Sequence, residues 1–472
     1  MATSQSGVLD RTGVLDGAIP YPGVEQRTLF GHPIGLFVLF FTEMWERFSY
    51  YGMRALLVLY MTSYLVKHAQ TGGYVFGFSA LQSGLEAVFG PLGVQPLSSQ
   101  IYGIYTGLVY FTPLFGGIIA DRFLGQRKTV VIGALLMAFG HFLMAFERFF
   151  LLALFYIILG NGCFKPNIST QVGNLYPKDD PRRDGAFTIF YMGINLGAFF
   201  SPLVCGTLGQ LYGWHYGFGA AGVGMVIGLF VYLWGQKYLA KDNLTSRTEQ
   251  SAKAGPLTSK EWKSIAALMI LCVLNIVFWG VYEQQGNTIQ LFADQNTDWH
   301  VFGWEMPSTW FQSFNPAMIF IFAPLLNMFW NWQVERKKPT SSVAKMALGS
   351  MLLGLSFVVL ILVTTGLQAD QKISFLWLAA CTLIYTIGEL YLSPIGLSLV
   401  TKVAPARLVS MLMGMWFLSS FFGNYLSGYL GTYYEKMPKE SFFTLLTILG
   451  VATGLAIFAV SKPLKKAIGE NA

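Results

Sequence analysis

Twelve apolar runs, each long enough to cross a lipid bilayer, decide what this chain is able to fold into. A spanning helix needs about 20 mostly apolar residues. Such runs fall at 33–65, 97–120, 128–147, 149–173, 185–212, 216–237, 264–293, 309–333, 343–367, 373–401, 407–434 and 441–462, hereafter spans 1 to 12. Several exceed the minimum, which predicts tilted or curved helices. The longest polar stretch, 239–263, separates spans 6 and 7. The predicted organisation is a tail over 1–32, a six-helix bundle over 33–238, a linker over 239–263, a second bundle over 264–463 and a tail over 464–472.

Composition removes the alternatives. Charged residues make up 12% of the 472 and hydrophobic ones 54%, whereas soluble proteins carry roughly 25% charge. Too few charges are present to cover a water-facing surface, which excludes a soluble enzyme, a disordered chain, a coiled coil and a nucleic-acid-binding domain. The fold class is an all-α, polytopic membrane protein. No basic stretch followed by an apolar one opens the sequence, so no cleavable signal peptide is expected. Cys163, Cys205, Cys272 and Cys381 lie in apolar runs without metal or redox spacing and read as packing residues. The glycosylation-like triplets at Asn167 and Asn243 fall in a span and in the linker, and read as chance matches.

The formal net charge of +7 is mainly a topology signal. Of 31 Lys and Arg, 23 fall in the tails and even-to-odd loops and only 5 on the opposite side. By the positive-inside rule both termini and the linker are expected in the cytoplasm.

Seven ionisable residues interrupt the spans: Glu43, Glu46, Arg47, Arg54, Lys165, Glu283 and Glu389. Facing lipid, each would cost roughly 2.5–3.5 kcal/mol, about 20 kcal/mol together. Interhelical ion pairing could absorb part of that; seven groups on four spans point to a wet central pathway. In span 1, Glu43, Glu46, Arg47, Tyr50, Tyr51 and Arg54 fall on one helical stripe about 140° wide. Two carboxylates competing for one guanidinium suit a proton carrier, or alternatively a static clasp between helices. The spans of the first half sum to +1 and those of the second, Glu283 and Glu389, to −2. Walls of opposite sign suit a zwitterion, and match a sugar, a lipophilic cation or an inorganic anion poorly.

The loop G-G-I-I-A-D-R-F-L-G-Q-R-K (116–128) resembles the loop 2–3 signature of the major facilitator superfamily. E-M-W-E-R-F-S-Y-Y-G (43–52), G-N-G-C-F-K-P-N-I-S (160–169), F-Y-M-G-I-N-L-G-A (190–198), F-W-G-V-Y-E-Q-Q-G (278–286) and G-E-L-Y-L-S-P-I-G (388–396) resemble spans 1, 4, 5, 7 and 10 of the proton-dependent oligopeptide transporters within that superfamily. The similarity runs over essentially the whole chain from about residue 30.

That resemblance implies proton-coupled symport of di- and tripeptides by alternating access, powered by the proton gradient with no cofactor and no metal. Glu43, Glu46 and Arg47 would form the proton-coupling triad. Arg54 and Lys165 would meet the peptide carboxylate, Glu389 its amino group, and Glu283 would gate through Arg54 and Lys165. Tyr50, Tyr51, Tyr110 and Asn195, with Asn315, Trp279 and Trp416, would hold the backbone and shape the side-chain pockets. The implied partners are peptide, protons and the bilayer, with no nucleic acid and no obligatory protein partner. The chain departs from the family twice. Many bacterial members insert two helices where only the linker stands here, and animal members carry a span 2 histidine where this chain has Gly103. Together these point to the inner membrane of a bacterium.

Two other readings are weighed. A related carrier of another small zwitterion or anion, such as nitrate or an amino-acid conjugate, would share the fold; retention of Glu389 beside Arg54 and Lys165 argues against an anion. An intramembrane enzyme would need a nucleophile beside a base, and no G-x-S-x-G, H-E-x-x-H or paired membrane aspartates occur.

Overall fold

An apolar run in lipid must satisfy its backbone N–H and C=O groups internally, so it closes into a helix. The computed structural model describes residues 28–177, 180–240, 242, 258–338, 340–368, 371–404 and 408–468, and each of the twelve runs is helical in it. Nine of these helices, among the described residues, pass a plain test of length and apolarity. The other three are Ile34–Tyr60, Gln126–Leu143 and Val409–Gly431. Span 1 fails it through its own buried charges.

Two elements were not expected. A twelve-residue helix, Phe78–Phe89, lies in the connection between spans 1 and 2. Its Phe78, Leu81, Leu85 and Val88 recur at helical spacing, but the run is too short to register as a span. Span 7 is broken: the helix Ser259–Tyr282 gives way to a tight turn, Glu283–Gly286, before Thr288–Gln295 resumes. Most of the linker lies outside the described residues.

The helices form two six-helix bundles with the same internal pairing. Span 1 packs on spans 5 and 6 as span 7 packs on 11 and 12; span 3 packs on 4 and 6 as span 9 on 10 and 12; span 2 packs on 4 as span 8 on 10. The halves meet where span 2 runs along span 11 and span 5 along span 8, the pair of contacts that a two-fold axis along the membrane normal generates. At the first contact Gly103 faces Gly428: a Cβ on Gly103 would sit 2.6 Å from the Gly428 Cα. No side chain fits where animal relatives of the resembled family place histidine.

The loop 2–3 turn anchors the start of the linker. Gly125, at φ +80°, turns the chain into span 3. The Asp242 carboxylate accepts the Arg127 backbone N–H at 3.2 Å, and Arg127 Nε donates to the Ala240 carbonyl at 2.9 Å. A carboxylate from the linker thus satisfies a free N–H at the first turn of the span 3 helix.

Candidate functional site

Between the bundles lies a cavity of about 140 Å³. Tyr51 and Arg54 of span 1, Tyr110 of span 2 and Asn195 of span 5 face it from one half; Trp279 and Glu283 of span 7, Asn315 of span 8 and Glu389 of span 10 face it from the other. Three of the seven buried charges, Arg54, Glu283 and Glu389, thus line it from the two halves.

On span 1 the predicted cluster is an ion-paired triad. Arg47 Nε lies 3.2 Å from Glu43 Oε1, and its Nη2 donates to Glu46 Oε1 at 2.7 Å, with a second bond from Nε to Glu46 Oε2. All three side chains are buried, and Glu43 Oε2 has no hydrogen-bond partner. Helical spacing puts Glu43 one turn from both Glu46 and Arg47, and the Glu46 carboxylate reaches round to its sequence neighbour Arg47. The guanidinium also lies 5.2 Å from the Tyr50 ring centroid and 6.0 Å from that of Tyr51.

Two turns along, Arg54 is held by both halves. Its Nη2 is ion-paired and hydrogen-bonded to Glu283, and its Nε donates to the Tyr102 hydroxyl at 2.7 Å. The break in span 7 sets this bridge: Glu283 begins the turn where the helix stops, and Gly286 closes it against Tyr102. A Cβ on Gly286 would come within 2.0 Å of the Tyr102 hydroxyl oxygen. Gly286→Ala is expected to displace Tyr102 and loosen the Arg54–Glu283 bridge, raising labelling of the cavity by a thiol reagent at Asn195→Cys several-fold. Unchanged labelling would show that Tyr102 does not hold the bridge.

Lys165 takes a different position. Its ammonium lies 4.4 Å from the Tyr110 ring centroid, over an aromatic that lines the cavity, and it forms no ion pair among the described residues. On the opposite wall Glu389 accepts from Asn315 Nδ2 at 2.8 Å, and Asn315 also donates to Thr386. Neither Lys165 nor Glu389 is in an ion pair among the described residues.

The remaining predicted residues divide. Tyr51, Tyr110, Asn195, Trp279 and Asn315 line the cavity. Tyr50 is buried behind it with its hydroxyl unpartnered, and Trp416 is buried against Gly396 of span 10, outside the lining. Tyr191, Tyr282, Gln285 and Gln312 line the cavity without having been singled out. Tyr191 and Tyr282 stand inside the motifs quoted above, and a tyrosine in an apolar span gives no charge signal. The Tyr385 hydroxyl donates to the Tyr282 carbonyl at 2.6 Å, which fixes the span 7 break against span 10.

Other polar bridges between the halves cluster at the end of the cavity away from the termini. Ser99 donates to Asn287 at 2.8 Å, Gln95 to the Gly431 carbonyl at 2.9 Å, Gln210 to Ser308 at 2.8 Å and Trp310 to Thr207 at 2.8 Å. That end is latched.

Comparison with known proteins gives the same picture from outside the molecule. The model of the POT family matches residues 127–254 and 241–447. The uncharacterized transporter YclF of Bacillus subtilis (strain 168) is 35% identical, the match covering 94% of this chain and 97% of that protein. A di-/tripeptide transporter of Lactococcus lactis subsp. cremoris is 31% identical over 94% and 98%. Among solved structures, a peptide transporter POT in complex with sulfate superposes with a TM-score of 0.82 at 34% identity, covering 94% of this chain and 98% of that one. Matched by the family model over most of its length and by relatives at 31–35% identity over 94% of it, the chain belongs to the POT family.

Proposed function

We propose that the protein is a proton-driven symporter of di- and tripeptides, working by alternating access in the inner membrane of a bacterium with both termini in the cytoplasm. The observation that carries this reading is the cavity itself: Arg54 of one half and Glu389 of the other line it, with the Lys165 ammonium over Tyr110, which lines it on the Arg54 side. A peptide zwitterion has charges of the matching order at its two ends. Glu43, Glu46 and Arg47 serve as the proton site, Arg54 and Lys165 take the peptide carboxylate, and Glu389 takes the amino group. Tyr51, Tyr110, Asn195, Asn315 and Trp279 hold the backbone and side chains.

Charge arithmetic links proton to peptide. The triad carries −1 without a proton and 0 with one, so proton binding makes the N-terminal wall more positive by one charge. That favours a carboxylate at Lys165 and Arg54, and linkage requires the carboxylate to favour the proton in return. When a peptide carboxylate competes for Arg54, Glu283 loses its partner and one bridge between the halves opens. With the termini inside, the latched end of the cavity is the outer one, and release is to the cytoplasm.

The test is uptake of a labelled dipeptide into vesicles containing the purified protein. An acid-outside gradient should concentrate it, and unlabelled di- and tripeptides should compete while nitrate and single amino acids do not. Competition by nitrate, or uptake indifferent to the gradient, would sink the reading.

A further inference from the structure

Beside the triad stands an uncharged side chain from another helix. Asn161 of span 4 is fully buried, its Nδ2 lies 3.4 Å from Glu46 Oε1, and its Oδ1 has no partner. An amide oxygen left unmet in a protein interior is costly, so its retention calls for a use. The backbone around it is built to aim it. A Cβ on Gly160 would come within 2.7 Å of the Gly133 carbonyl oxygen and 2.6 Å of Met137 in span 3, and one on Gly162 within 2.6 Å of Thr112 in span 2. The two glycines let span 4 close onto both neighbours at once, and the Thr112 hydroxyl adds a bond to the Ile158 carbonyl at 2.9 Å. Asn161, between them, is left pointing at span 1 with little freedom.

We propose that Asn161 is a positioning residue of the proton site, serving both charge states of Glu46. Its Nδ2–H donates to the carboxylate. When the carboxyl carries a proton it becomes a donor itself, and the unmet Oδ1 supplies an acceptor after a turn of the amide. The assignment rests on the proposed role of Glu46 in proton coupling. The charged and titratable groups near Glu46, among the described residues, are Glu43, Arg47, Tyr50 and Tyr51 on its own helix, Lys165 on span 4 and Tyr105 on span 2. Spans 5 and 6 meet this stretch of span 1 through Gly197, Gly224 and Gly228, which bring no charge. Span 7 brings Glu283 to Arg54, about two turns away.

The measurement is the pH midpoint at which proton-driven dipeptide uptake falls as the external pH rises, taken whatever the maximal rate. Asn161→Leu removes donor and acceptor at similar size; losing the donor destabilises the carboxylate, so the proton is held to higher pH. The midpoint should rise by about one pH unit. Asn161→Asp keeps the shape and adds a like charge, so its midpoint should rise further. Should the leucine variant fail to reach the membrane, the aspartate variant decides alone. In a Glu46→Gln background, where only exchange of peptide remains, Asn161→Leu should leave the pH dependence of that exchange unchanged. Midpoints at the native value in both single variants would overturn the assignment and leave Asn161 a packing residue. A native protein that ignores the proton gradient would overturn the functional reading first, and this assignment with it.

Discussion

Replacing Glu46 by glutamine should abolish uphill uptake of peptide while exchange of labelled for unlabelled peptide across the same membrane continues. Exchange needs only that the loaded carrier reorient; accumulation also needs a proton to be picked up on one side and released on the other. The substitution keeps one of the two bonds from Arg47 and gives up the bond from its Nε. Glutamine keeps the length of Glu46, its amide oxygen can still accept the bond that Arg47 Nη2 now gives at 2.7 Å, and the triad is held at the charge of its protonated state. With one proton per peptide, a gradient of one pH unit sustains roughly tenfold accumulation, and the variant should fall to a ratio of about one. A glutamine variant that still concentrates peptide would make the triad a clasp between helices and move the proton site elsewhere.

The second large effect concerns the two ends of the peptide. Glu389→Gln should weaken binding of a free-amine dipeptide by roughly 10–100-fold, the range for losing a hydrogen bond to a charged partner. The N-acetylated analogue, already a poor ligand, should lose little more. Lys165→Ala should show the mirror image, penalising free carboxylates over C-terminal amides. Arg54→Ala should do so less cleanly, since it also strips Glu283 of its partner. Comparing each substitution against each end group isolates the contact, because only the intended pair should couple. Equal losses for blocked and unblocked peptides would mean that these residues serve the fold or the gate, and the head-to-tail arrangement would have to be abandoned.

How much of this was visible beforehand follows the size of each physical penalty. Twelve runs of apolar residues announce themselves because a broken run in lipid is expensive, and all twelve are helices. The seven buried charges were legible for the same reason, and the structure brings six of them into ion pairs or onto the cavity wall, with Lys165 over one of its aromatics. What costs little leaves little trace. The helix Phe78–Phe89 is too short to count as a span, and the break at Glu283 falls on the polar stretch E-Q-Q-G-N-T (283–288), a signal that reading span 7 as one run passed over. Tyr102 and Asn161 are the neutral partners of Arg54 and Glu46, yet a neutral polar side chain in a span is ordinary glue between helices. Trp416 shows the converse: a large aromatic near the charged spans that packs against Gly396 instead of the cavity.

The meeting of Gly103 with Gly428 has a mechanical consequence. A joint between two moving bodies normally jams on its own teeth, because interlocked side chains must climb out of one set of grooves before entering the next. Here the bearing surface of spans 2 and 11, one turn inward from the Ser99–Asn287 bond, is bare main chain on bare main chain, with no rotamer to unlock at the point of contact. The bundles can roll about it as a wheel rolls on a rail. The work of turning the carrier over is then spent at the rims, on Arg54–Glu283 and the latched end, where proton and cargo act.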